Sequence, residues 1–209
     1  MLSRARSVGY RYDLLASSFA TSVADLRRES NLVVVGDYHN DIASKKLLSC
    51  SIAYLKEKGF SRIYFEMLPQ NMQPVLDSFM MGCKDSGVVI KDYLGNNWHH
   101  YTPGLSDSFF DIINNARISG ISVVAIDEDG GLEQRNDKWA KMIEGSQKKY
   151  NNTPAIVFGG AYHIGEINNK TTEAECSAHD PLGVDGRLKA PYIILKLPDP
   201  VRISAGFTI

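Results

Sequence analysis

No hydrophobic run in the sequence approaches the roughly 20 residues that a membrane-spanning helix requires. A secretion leader is not visible either: Arg4 and Arg6 are followed by SVGYRYDLLASSFA, in which Arg11 and Asp13 interrupt any apolar segment. Charge of one sign is not in excess. With 23 Lys and Arg against 24 Asp and Glu, there is no basic field for nucleic acid or an anionic membrane. Cysteine is scarce, and Cys50, Cys83 and Cys176 are an odd number without metal-type spacing, which excludes a disulfide framework and a zinc ribbon. Also missing are a GxSxG elbow, an HExxH helix, a P-loop, and a GxGxxG turn after the first strand. The expectation is a soluble chain, cytoplasmic or delivered by a secretion route not visible in the sequence. Nucleic acid is not an expected partner, and the oligomeric state is open.

What is present is an ordinary globular composition, 44% hydrophobic and 22% charged, which at 209 residues suits one domain with a sizeable core. Five short apolar runs read as strands buried on both faces: residues 32–35, 63–66, 121–126, 155–158 and 192–197. Between them lie helical stripes. Leu48, Ile52 and Leu55 share one face, as do Phe109, Ile112, Ile113 and Ala116 before Gly120, while Trp139, Met142 and Ile143 mark a third helix. A further helix is expected over about residues 12–28. The alternation predicts an α/β fold, a mostly parallel central sheet flanked by helices, with any site at the carboxyl edge of the strands. Residues 83–104 read as a less regular lobe, and residues 168–190 as a long loop.

That edge collects chemistry. VVVGDYHND and IVFGGAYHIG each run from an apolar strand through a glycine to a histidine three residues later, His39 and His163. Glycine permits close backbone approach, and an imidazole there binds a metal or moves protons. Glu66 ends a strongly apolar strand, where an acid must be paired, ligating or protonated. Asp37 lies two residues before His39 and either orients it, supplies a second carboxylate or caps a turn. Asp41 reads as a helix start. Arg135 opens the Trp139 helix, suited to holding a carboxylate or an oxyanion if it is not simply on the surface. The acids of IDEDGG, Asp127 nearest the edge, offer carboxylates to a hard cation but read more strongly as a solvated loop, and His99, His100, Trp98 and Tyr101 read as an aromatic lobe.

Taken in series, the motifs resemble those of the superfamily of ChaN, erythromycin esterase, TraB and Tiki proteins, to which domains of large bacterial toxins look related. GDYHND resembles the first GxxH motif, FEMLP the strand-end glutamate, RNDKWAKMI the Arg-Asn helix, and FGGAYHIG the second GxxH; together they span residues 31–165. The resemblance implies a site of His39, Glu66, Arg135 and His163, with Asp37 where many members carry glutamate, a side chain one methylene longer. Members include metal-dependent peptidases, metal-independent esterases, a toxin peptidase that cuts small GTPases, and haem binders. The expectation is hydrolysis of a peptide or small-molecule ester, with His39 activating water or sharing Mn, Co or Zn with Glu66 and His163. The alternatives are haem or metal binding of the ChaN type, with His39 or Tyr38 on iron, and a non-catalytic or targeting domain of a bacterial effector.

Overall fold

The computed structural model describes residues 2–27, 30–98, 102–165 and 180–195. Its strands are β1 (Leu32–Asp37), β2 (Arg62–Pro69), β3 (Ser122–Asp127), β4 (Ala155–Gly160) and β5 (Tyr192–Leu195). Its helices are α1 (Leu2–Leu26), α2 (Ile42–Glu57), α3 (Gln73–Met80), α4 (Lys84–Trp98), α5 (Leu105–Ser119), α6 (Leu132–Lys149) and α7 (Gly183–Leu188). The strands form one five-stranded sheet in the order β3-β2-β4-β1-β5, and every pairing is parallel. The α/β fold expected from alternating strand and helix is therefore present, with no antiparallel strand among the described residues.

Strand parity sorts the two layers. Val33, Val35, Ile63, Phe65, Met67, Ile156 and Phe158 pack against α1 to α5 in one cluster. Leu32, Val34, Tyr64, Ala155 and Val157 join Trp139 and Ile143 of α6 and Val184 of α7 in the other. Alternate side chains leave opposite faces of a strand, so near-continuous apolar runs are what a sheet covered on both sides requires. The chain leaves β1 and β2 toward the first layer but leaves β4 toward the second. Crevices at the carboxyl ends therefore flank β4, where the winding reverses.

Two segments differ from their sequence reading. Residues 84–98, read as irregular, form α4, packed on α3 and α5. Its buried face holds Gly87, Ile90 and Leu94, and exposed Val88 and Val89 blur the period. Gly87 is required there, since a Cβ would stand 2.8 Å from the Phe79 ring. Within the expected 168–190 loop, residues 183–188 are α7, closed by Lys189 in the left-handed region at φ 50°. Residues 166–179 with Cys176, residues 196–197 of the expected last strand, and His99, His100 and Tyr101 lie outside the described residues. None of the described helices is long and apolar enough to cross a membrane.

Candidate functional site

The same parity assigns the polar residues at the strand tips to opposite layers. Asp37 continues the Val33–Val35 series toward α2, whereas Glu66 continues from Tyr64 toward α6. β2 pairs with β4 only as far as Phe65↔Phe158, and its register against β3 shifts between Phe65 and Pro69. The parting strands leave a gap that the Glu66 side chain fills. Its Oε2 accepts from the Gly160 backbone N–H at 2.5 Å, and its Oε1 accepts from Arg135 Nη2 at 2.9 Å. His163 Nε2 lies 3.1 Å from the same Oε1, and His39 Nε2 lies 3.9 Å away. Glu66 is 2% exposed. Burial pushes its carboxyl up, but His163, then His39 and Arg135, outweigh this and hold it well below the usual carboxylate range.

The paired glycines of FGGAYH make room rather than a turn, because neither has a positive φ. A Cβ on Gly159 would stand 2.7 Å from Glu66 Oε2 and 3.5 Å from Trp139, and one on Gly160 would stand 2.8 Å from His39 Nε2. Gly159→Ala therefore displaces a pinned carboxylate and is expected to cost about 1–3 kcal/mol, the usual range for overpacking. Urea unfolding checks this, and wild-type stability in the variant would remove the argument for close approach at this position.

His163 follows β4 in a 3-10 turn, Ala161–His163, and is 5% exposed. Its ring stacks on Trp139 at 4.1 Å between centroids, 25° from parallel. Its Nδ1 lies 2.6 Å from Asn136 Oδ1, and Asn136 Nδ2 donates at 2.6 Å to Asp180, itself held by Arg187. Arg135 is a member of the cluster, not a surface arginine. Besides Glu66 it grips Asp127 Oδ1 through Nε at 3.1 Å and Nη2 at 2.5 Å. Asp127 is thus an ion-pair partner instead of a solvated loop acid; Glu128 in turn accepts from Lys138. Burial lowers the Arg135 proton affinity, and Glu66 and Asp127 more than restore it.

On the other side of the sheet, Asp37 is buried against Lys45 of α2. Lys45 Nζ also donates to the carbonyls of Tyr38 and Asp41, each at 3.1 Å, and is fully buried. Burial lowers its pKa, with Asp37 opposing. The second Asp37 oxygen, Oδ1, stands 3.4 Å from His39 Nδ1, too long for a good hydrogen bond. Neither atom has a hydrogen-bond partner among the described residues. His39 is 26% exposed, the most open imidazole of the cluster, and its ring meets Trp98 edge-on at 5.0 Å. Burial lowers its pKa, and Asp37 and Glu66 outweigh that, leaving it above the ordinary value. Asp41 is a helix cap, accepting from the N–H groups of Ala43 and Ser44.

The five expected residues, Asp37, His39, Glu66, Arg135 and His163, therefore stand together at the carboxyl ends of β1, β2 and β4. Sequence reasoning read Asp127 as a solvated loop acid and gave no site role to Lys45, Asn136 or Asp180. Lys45 carried a legible signal, since it extends the buried Leu48–Ile52–Leu55 stripe of α2 by one position. A divalent cation needs lone pairs converging on one point. Here both Glu66 oxygens face protein donors, and His163 turns one nitrogen to Asn136 and the other to Glu66. Among the described residues no three His, Cys, Asp or Glu side chains are placed to hold a metal ion. In this arrangement His39, Glu66 and His163 do not fit a metal centre. Tyr38, the candidate haem ligand, is half-buried where the chain leaves β1.

No protein-family model matches the chain. Over 159 aligned residues it is 24% identical to type III effector protein HopBA1 of Pseudomonas syringae pv. aptata, an alignment covering 68% of this chain and 64% of that protein. The chain thus spans less than two thirds of that relative's length. Its fold is similar to the solved structure of HopBA1, with a TM-score of 0.62 at 20% identity over 86% of this chain and 81% of that one. It is also similar to RRSP, a MARTX toxin effector domain from Vibrio vulnificus CMCP6, with a TM-score of 0.56 at 18% identity over 88% and 38%. The sequence likeness is thus to a bacterial type III effector, and the fold is shared with that effector and with a toxin effector domain.

Proposed function

We propose that this chain is a domain of the bacterial effector or toxin type, delivered by a secretion route, that hydrolyses an amide or ester bond with a metal-free acid–base site. The observation that carries this reading is the burial of Glu66, ionised, among Arg135, His163, His39 and a main-chain N–H. Buried charge is expensive and gives a fold little that apolar packing would not, so such a cluster at a sheet's switch point favours a working site. The order of the four motifs along the chain supports the same superfamily, in which this chemistry recurs.

His39 is the base, because it is the open imidazole and its Nδ1 faces Asp37. Its Nε2 takes a proton from water, the hydroxide adds to the carbonyl carbon, and the tetrahedral oxyanion collapses as His39 returns the proton to the leaving amine or alcohol. Arg135 and His163 offset the developing negative charge beside Glu66. The raised pKa of His39 sets a pH dependence. Below its folded value the ring is protonated and cannot accept, so kcat/KM is expected to rise with pH to a midpoint above 6.5. A midpoint below 6.5 would rule out His39 as the base.

The test is hydrolysis of peptide and ester libraries by the wild type, His39→Ala and Glu66→Gln, with folding checked by circular dichroism. Turnover lost in both variants supports the proposal. A host-cell effect that is equal in all three proteins, without turnover, replaces it with the targeting-domain reading, which the full occupation of the Glu66 oxygens favours. Titration with Mn, Co, Zn and haem is run alongside. About one equivalent bound by the wild type and lost in both His39→Ala and His163→Ala would overturn the metal-free assignment.

A further inference from the structure

Beyond the residues named in that reading, a buried chain of polar groups runs from His163 into the carboxyl-terminal part of the fold. Asp180 is 2% exposed and Asn136 is fully buried. The Asp180 carboxylate accepts from Arg187 Nη1 at 3.0 and 2.8 Å, from the Leu182 N–H at 3.3 Å, and from Asn136 Nδ2 at 2.6 Å. An ionised carboxylate only accepts, so the amide of Asn136 must turn its NH2 group toward Asp180 and its carbonyl toward His163. That carbonyl stands 2.6 Å from His163 Nδ1. It accepts only if Nδ1 carries the proton. The ring is also clamped flat on Trp139, which leaves it no rotation to escape the constraint.

We infer that Asp180 is a positioning residue: acting through Asn136, it keeps a proton on His163 Nδ1 and aims the Nε2 N–H at the Glu66 carboxylate, which also only accepts. The inference rests on the proposed site, since His163 matters only if that cluster works. Its anchor is local and well defined. Ile164 bridges Gly183, the Gly165 N–H donates to Asp185 at 2.9 Å, and Arg187 also binds the Gly183 carbonyl at 2.8 Å. The turn bearing His163 and the helix α7 are thus stitched together on the second face of the sheet. Asp180 lies where that stitching meets α6. The segment therefore supports the site from beneath, through hydrogen bonds and not through contact with substrate.

The test uses 15N-labelled full-length protein and the imidazole N–H resonances, assigned with His163→Gln. The wild type is expected to show a slowly exchanging, downfield proton on His163 Nδ1, the signature of a short, buried hydrogen bond. Asp180→Ala removes the acceptor that orients Asn136 and is expected to abolish that resonance. Asp180→Asn, which still offers an amide oxygen to Asn136, is expected to retain it. Asp180→Ala/Arg187→Met removes both charges, so a folded sample is obtained even if the single variant fails to fold for want of a partner for Arg187. Loss of the resonance in either alanine variant, with retention in the asparagine variant, supports the inference. An unchanged resonance in a folded alanine variant overturns it. No substrate enters this measurement, whereas the proposed function stands or falls on the His39→Ala assay, so the two fail separately.

Discussion

Glu66→Ala is expected to lose about 3–5 kcal/mol of stability, the usual cost of removing one partner from a buried charged cluster. In a chain of this size that lowers Tm by about 10 °C. The loss comes less from the vanished contacts than from what remains: Arg135, 23% exposed, still has Asp127, but His163 and the Gly160 N–H are left facing an empty gap. Glu66→Gln keeps the shape and an oxygen for Gly160, so it should cost less while still removing the charge. The pH dependence separates charge from shape. The folded carboxyl is held well below its ordinary 4.5, so its contribution is complete above that value and declines as the pH falls toward the folded pKa. Wild-type stability, followed by urea unfolding from pH 6 to pH 3, should therefore fall more steeply than that of Glu66→Gln. Parallel curves would mean that Glu66 is not charged in the folded protein.

The strands were legible because burial on both faces writes them as unbroken apolar runs, and α2, α5 and α6 because their stripes are wide. Asp37, His39, Glu66 and His163 were legible as chemistry because each ends such a run, where parallel topology brings strand tips to one edge. Arg135, at a helix start where solvated charge is the common case, was legible only through the motif that resembles the superfamily's, and Asp127, at a strand tip, read as solvated; only their mutual pairing distinguishes Asp127, and pairing is not written locally. Asn136 and Asp180 are 44 residues apart, and no periodicity links them. The strand order, with β4 inserted between β1 and β2, is equally a non-local fact. It places the two GxxH turns side by side, with Asp37 opposite Gly160 in register.

Lys45→Met is expected to be as damaging as Glu66→Ala, about 3–5 kcal/mol, because it leaves Asp37 charged and buried without its ion-pair partner. It also removes the donor that ties the Tyr38 and Asp41 carbonyls into the turn after β1. Asp37→Asn/Lys45→Met should be milder than the sum of its singles, since removing both charges relieves the orphan that each single creates. A double-mutant cycle by urea unfolding reads this coupling directly, and a pair in contact should give about 0.5–3 kcal/mol. Additive effects would mean that the turn, not the ion pair, sets the position of Asp37. The geometry argues otherwise. Lys45 engages one carboxylate oxygen and leaves the other, without a hydrogen bond among the described residues, facing His39 Nδ1. A carboxylate gripped at one oxygen keeps the other beside the imidazole, so under the proposed mechanism Lys45 would position His39 from the α2 side of the sheet as Asp180 is inferred to position His163 from the α6 side. If turnover is found, Lys45→Met should lower kcat at temperatures where the variant remains folded.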